Sequence, residues 1–256
     1  MTAPLDLSPR PGGAPLASQV LAQAGMETRL LLRNGEQLLL AVVIPVVVLV
    51  GAVLGAERIG LELSRRAVDE FTPGVLALAV MSTSFTSLAI ATGFERRYGV
   101  IKRLGASPLP RTGLLLGKVL ALLLVQALQV VVIAGVALGL GWRPDASLPA
   151  ALVSVVLGTA AFASLGLFVA GVLRAEATLA AANLVYLLLM AGGAVVLPSS
   201  AYGAAGVLTR LLPSGALGDA LREALWSGGA AWGAWLVLAV WAVVGTALTA
   251  RTFTWE

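Results

Sequence analysis

Cysteine and histidine are absent from all 256 residues. Their absence removes disulfides, Cys/His zinc sites, thiol nucleophiles and histidine general bases from consideration. Charge is scarce too: 12% of positions carry it against 59% that are hydrophobic, a balance far from that of a soluble globular domain. Mean hydropathy is +0.94. Lipid is the solvent such a chain expects. A formal net charge of +4 would suggest nucleic acid in a soluble protein. Here the basic residues lie between apolar runs, without interleaved aromatics, and no nucleic-acid partner is expected.

What is abundant is apolar sequence in long runs. A bilayer core of about 30 Å needs about 20 helical residues. Runs of that order fall at about 37–55, 73–93, 114–140, 150–173, 177–197 and 230–250. Pro45 inside the first predicts a kink rather than a break, as membrane helices tolerate. The fourth and fifth runs are separated only by "RAEA", and one helix through both would be about 70 Å long. Arg174 and Glu176 therefore mark a hairpin. The expected fold is an all-α integral membrane protein with six transmembrane helices over residues 37–256. Residues 1–36 form a cytoplasmic segment ahead of it.

Lys and Arg set the orientation. With the N-terminus inside, eleven of the 17 basic residues and both lysines fall on the cytoplasmic side, which favours an N-in, C-in multi-pass protein of the cytoplasmic membrane. The proline-rich start reads as disordered and has no short apolar stretch of the signal-peptide kind. Residues 18–34 read as an amphipathic helix along the cytoplasmic interface, starting from Ser18, with Arg29 and Arg33 one turn apart. An ordinary juxtamembrane linker fits the same residues.

Between the second and third runs, residues 93–118 hold Arg96, Arg97, Lys102, Arg103, Arg111 and Lys118 with one acid, Glu95. As one helix, Phe94, Tyr98, Ile101 and Leu104 would form an apolar stripe, with Glu95, Arg96, Lys102 and Arg103 on the other side. Gly105 and "SPLPR" would end that helix. Docking of a partner is one reading of this element. Plain positive-inside anchoring is the other.

The run Glu95, Arg97, Gly99, Lys102, Leu104, Pro108, Leu109 and Arg111 resembles the E-x-x-x-G-x-x-x-x-L-x-x-x-P-L-x-R loop of type-2 ABC exporter permeases, the class that includes daunorubicin-resistance-type drug efflux membrane subunits. "LLPSGALGDALREALW", residues 211–226, is similar to that family's segment before the last span. Val100 and Ile101 after the loop glycine, and Ser214, Gly215 and Ala216 after Pro213, depart from the family's usual residues. The resemblance implies an exporter built from two permeases, as a homodimer or with a related chain, and two cytoplasmic ATP-binding subunits. ATP and Mg would sit on those subunits, with no cofactor in this chain. The nearest thing to a phosphate loop here, "GLLLGKV" at 113–119, lacks the required spacing and hydroxyl. The short helix becomes the coupling helix of that architecture. Glu95 and Arg97 are its leading contacts with the ATPase, followed by Lys102, Arg103 and Arg111, with Gly99 and Pro108 shaping the loop.

Polar side chains within the runs include Ser82, Thr83, Ser84, Thr86, Ser87, Gln126, Gln129, Asn183 and Tyr186. Thr83, Thr86, Ser87, Gln126, Gln129, Asn183 and Tyr186 are candidates for a translocation path. Hydroxyls bonded to their own helix and amides bridging helices explain the same residues. In the family, the second and fifth spans line that path. The region 198–229 holds Pro198 and Pro213 around apolar material too short to span, with Asp219, Arg222 and Glu223 at one-turn spacings. Short extracellular re-entrant helices fit, and the resemblance implies a cap on the exit route built around Pro213, Asp219 and Arg222. A surface helix with solvated ion pairs fits equally. No acid lies mid-run, which points to an amphipathic or apolar cargo and away from a proton-coupled secondary transporter. A membrane enzyme acting on lipid would need more than adjacent Asp69 and Glu70. A membrane immunity protein that transports nothing is compatible with every residue.

Overall fold

The computed structural model describes residues 14–33, 35–60, 63–105 and 110–252, without the side chains of 36–40, 101 and 111. The proline-rich start through residue 13 and the end of the chain from 253 lie outside the described residues. Helices account for every regular element described: α1 (Leu16–Arg33), α2 (Gly35–Arg58), α3 (Ala67–Met81), a π-helical segment (Ser82–Ser87), α4 (Leu88–Arg97), α5 (Val100–Gly105), α6 (Arg111–Gly139), α7 (Leu148–Val172), α8 (Ala175–Gly192), a 3₁₀ segment (Ser199–Ala205), α9 (Gly206–Leu211), α10 (Pro213–Trp226) and α11 (Trp232–Thr252).

Among the described residues, six stretches are long and apolar enough to cross a membrane: Ala41–Arg58, Ala67–Arg97, Thr112–Gly139, Leu148–Val172, Ala175–Gly192 and Trp232–Thr252. They correspond to the six apolar runs of the sequence, and two boundaries differ most. Span 2 begins six residues before Pro73, because Arg66 and Asp69 pair at 2.7 Å on its first turn and anchor it there. Span 5 ends at Gly192 rather than near 197, where Ala194 adopts a φ of 54° and the chain turns away.

Span 2 is the centre of the bundle. Of its apolar stretch 78% is buried inside the protein, against 17% for α8 and for α11. Lipid tails are as apolar as leucine, so close packing and interhelical hydrogen bonds hold such a bundle together, more than hydrophobic burial between helices. Spans 3 and 4 pack on the π segment, while α2 lies against α3 and α8 against α4.

Side-chain contacts sort the helix ends onto two faces. Arg66 donates to the Gly141 carbonyl at 2.9 Å, Trp226 Nε1 to the Asp69 carbonyl at 2.8 Å, and the Ser147 amide to Ala224 at 2.9 Å. These join the start of span 2, the end of span 3, the start of span 4 and α10 at one face. At the other, Lys118 meets Glu27 of α1 and Glu95 of α4, and Arg96 reaches the last carbonyls of α7. Helix α11 runs alongside α7 in the same direction: Trp235 Nε1 donates to Ser154 Oγ at 2.9 Å, and fourteen residues on Thr249 Oγ1 donates to the Ser164 carbonyl at 2.9 Å. Both α1 and the end of α11 therefore lie at the α5 face.

The stripe expected from a single helix over Phe94, Tyr98, Ile101 and Leu104 is not formed. Phe94 to Arg97 complete the last turn of span 2, and α5 is a separate helix of 6 residues. Gly99 divides them with a φ of 67°. That left-handed conformation reverses the chain at little cost only without a Cβ. The Gly99 amide closes the turn on the Arg96 carbonyl at 3.0 Å.

Candidate functional site

The elbow at Gly99 presents α5 at the α5 face of the bundle. Val100, Lys102 and Arg103 are exposed there and Leu104 is half-buried, so two cations and an apolar residue are open to a partner. Tyr98 is exposed and stacks on Phe94 with ring centroids 6.2 Å apart. The side chains of Ile101 and Arg111, and all of Pro108, fall outside the described residues.

Glu95 faces inward rather than toward a partner. Its Oε1 accepts from Lys118 Nζ at 2.7 Å, and the same ammonium lies 3.0 Å from Glu27 Oε1 on α1. Lys118 is 4% exposed. Gln23 donates to Glu27 at 2.9 Å and extends the cluster along α1. Arg97 forms an ion pair with Glu176 at the start of α8, both side chains exposed. Sequence reasoning counted Lys118 among the basic loop and passed over Glu27. The available signal was a lysine set inside the apolar run of span 3, facing a buried-type acid on the neighbouring amphipathic helix.

Helix α1 reaches Lys118 because residue 117 is glycine: a Cβ there would meet Gln23 Cγ at 2.6 Å and the Ala24 amide at 3.3 Å. Val20, Gln23 and Ala24 face span 3, while Leu21, Met26 and Leu30 are exposed alongside Arg29 and Arg33. A helix with its acid inward and its leucines outward suits a membrane interface. Behind the cluster a cleft of about 50 Å³ runs toward the bundle centre, lined by Glu95, Lys118, Leu122, Val125, Ser87 and Thr83.

Deeper in, the polar span residues meet one another. Gln126 Nε2 donates to Ser84 Oγ at 2.6 Å, and Gln126 Oε1 accepts from Thr159 Oγ1 at 2.7 Å. Gln129 Oε1 accepts from Thr83 Oγ1 at 3.0 Å, and its Nε2 donates to the Ala41 carbonyl at 2.8 Å. Both amides are 1% exposed and bridge span 3 to its neighbours. Thr83 and Ser84 belong to the π segment, whose extra residue per turn turns two successive side chains toward span 3. That local winding has no signature in the hydropathy pattern. Thr86 is buried and Ser87 half-buried. Tyr186 is half-buried and Asn183 exposed on α8.

At the opposite face, Pro213 opens α10 and is buried. Arg222, with a side chain 3% exposed, donates to Asp219 at 3.2 Å and to the Val195 carbonyl at 2.8 Å, while the Ser199 amide donates to Asp219 at 3.3 Å. Burial lowers the guanidinium from its ordinary value, and Asp219 opposes that. The pair fastens α10 to the turn after span 5. Solvated ion pairs on a surface helix do not describe it.

Among the described residues no group of His, Cys, Asp and Glu could hold a metal ion. Residues 31–251 match the family described as ABC-2 family transporter protein. The matched segment covers all six spans, the elbow and α10. No curated protein matches the chain.

Proposed function

This chain belongs to the ABC-2 transporter family, as a membrane permease component of an ABC exporter with no ATP-binding site of its own, and from that premise we propose that it carries amphipathic or apolar compounds outward across the cytoplasmic membrane. It works as a dimer of permeases, with a second copy or a related chain, and takes its energy from MgATP hydrolysed on separate cytoplasmic subunits. Drug or antibiotic efflux is the cargo class that the loop and α10 motifs resemble.

The observation that carries this reading is the family match over residues 31–251, combined with an exposed basic helix held out behind a glycine elbow. Coupled to an ATPase, α5 has the right chemistry: an apolar residue to seat in a groove, and Lys102 and Arg103 to fix register and choice of partner. Glu95 and Arg97 act one step behind it. N-in, C-in orientation follows from the lysine and arginine count and puts α5 in the cytoplasm. The pair Asp219 and Arg222, with Pro213, then closes the exit side as a set of re-entrant helices. The translocation path is assigned to Thr83, Thr86 and Ser87 of span 2 and Asn183 and Tyr186 of span 5, the spans that line it in the family, and of these Asn183 is already exposed. Cargo without a fixed charge suits spans that hold no acid in their middle.

Affinity purification of the tagged chain from its native membrane tests the reading. An ATP-binding subunit should co-elute, and Lys102→Glu with Arg103→Glu should lose it while membrane insertion persists. Clean elution of the permease with no ATPase in either case contradicts the proposal.

A further inference from the structure

Successive residues of an α-helix point about 100° apart, and the last turn of span 2 uses this to reach three different elements. Glu95 bonds Lys118 of span 3, and through it Glu27 of α1. Arg96 donates to the carbonyls of Ala170 and Leu173 at the end of span 4. Arg97 pairs with Glu176 at the start of span 5. The elbow at Gly99 follows two residues later, so whatever moves α5 acts first on this junction.

The three ties are unequal. Arg97 and Glu176 have side chains 51% and 64% exposed, and a solvated pair of that kind contributes little. Lys118 is buried between two carboxylates. Removing its ammonium would leave Glu27 and Glu95 facing each other in a low-dielectric site, a strongly unfavourable arrangement. The tie to α1 is thus the stiff one. Helix α1 packs chiefly on span 3, and Lys118 of that span is the group that bonds both Glu27 of α1 and Glu95 of span 2.

We infer that Lys118 is a positioning residue for transport: it locks the end of span 2 to the interfacial helix α1, so that a displacement of α5 is delivered to α1 and span 3 together. The inference rests on the exporter reading for its purpose, though its structural part stands without an ATPase. Glu27 and Glu95 are the two jaws of the lock, and Gly117 lets α1 come close enough to close it.

The cysteine-free chain suits spin labelling at Ala22→Cys on α1 and Val100→Cys on α5, reconstituted in phospholipid nanodiscs. With Lys118 or Lys118→Arg the label distance should be narrow, because either cation spans both carboxylates. Lys118→Met should broaden or shift it. Glu27→Gln, a milder change, should do so partially and keeps the measurement available if Lys118→Met does not fold. Distributions for Lys118→Met and Glu27→Gln that superimpose on the parent overturn the inference. In the assembled exporter, cargo moved per ATP should fall at least about fivefold in Glu27→Gln with the ATPase still bound, and recover in Lys118→Arg. An unchanged ratio in Glu27→Gln also overturns it. Should no ATPase co-purify with the parent chain, the exporter reading fails, and the label distance alone decides the lock.

Discussion

Gln129 donates to the carbonyl of Ala41 at 2.8 Å, and that carbonyl is the one whose helical donor would be residue 45, a proline. Proline has no amide hydrogen and leaves the i−4 carbonyl unpaired, which inside a bilayer must be satisfied by protein. The proline in span 1 and the glutamine in span 3 are two parts of one arrangement. Gln129→Leu should therefore destabilise the chain by about 0.5–2 kcal/mol. In a Pro45→Ala background, where residue 45 regains its amide hydrogen, the same substitution should cost less. A double-mutant cycle of unfolding in detergent measures the difference, and equal costs in both backgrounds would refute the pairing.

Gly99 decides where α5 points. Gly99→Val places a β-branched residue at a φ of 67°, at a cost of about 1–2 kcal/mol or a changed elbow. The variant should insert and fold but retain less of the co-purifying ATPase. Gly99→Asn, which tolerates the left-handed region, should retain more than Gly99→Val. Equal recovery from both would show that the elbow conformation has no bearing on docking.

Contact between α1 and span 3 depends on the missing side chain at 117. Gly117→Val would drive Gln23 and the α1 backbone away. A cysteine placed at Ala24, which is 4% exposed, should resist maleimide in the parent and react in Gly117→Val. Protection that survives the valine would mean that α1 is held by its other contacts.

Orientation is open to the same chemistry, because the native chain contributes no cysteine of its own. Membrane-impermeant maleimide should label Asp145→Cys and Ser200→Cys in intact cells. Ala14→Cys should label only after lysis. The reverse pattern would invert the topology and move α5 out of the cytoplasm.

Hydropathy by itself determined the solvent and the number of crossings. A run of apolar residues long enough for a bilayer has one low-energy backbone, the helix, since no other open structure satisfies its own amides in lipid. Gly105 and the "RAEA" hairpin were likewise readable as places where the helix had to stop or turn, whereas Gly99, read as interior to one helix, proved to be the elbow. What each polar residue faces was decided by tertiary structure alone. Glu95 and Arg97 looked outward as bare charges, yet Glu95 turned to a lysine 23 positions away and Arg97 to an acid 79 positions away. Gln126 and Gln129 were recognisable as a one-turn pair, but their partners lie on spans 1, 2 and 4. Sequence carries local periodicity, and these pairings depend on which helix stands beside which. That choice is made by close packing at residues such as Gly117 and by the extra residue per turn of the π segment. A hydrophobic pattern, nearly uniform around spans bathed in lipid, contains no record of either.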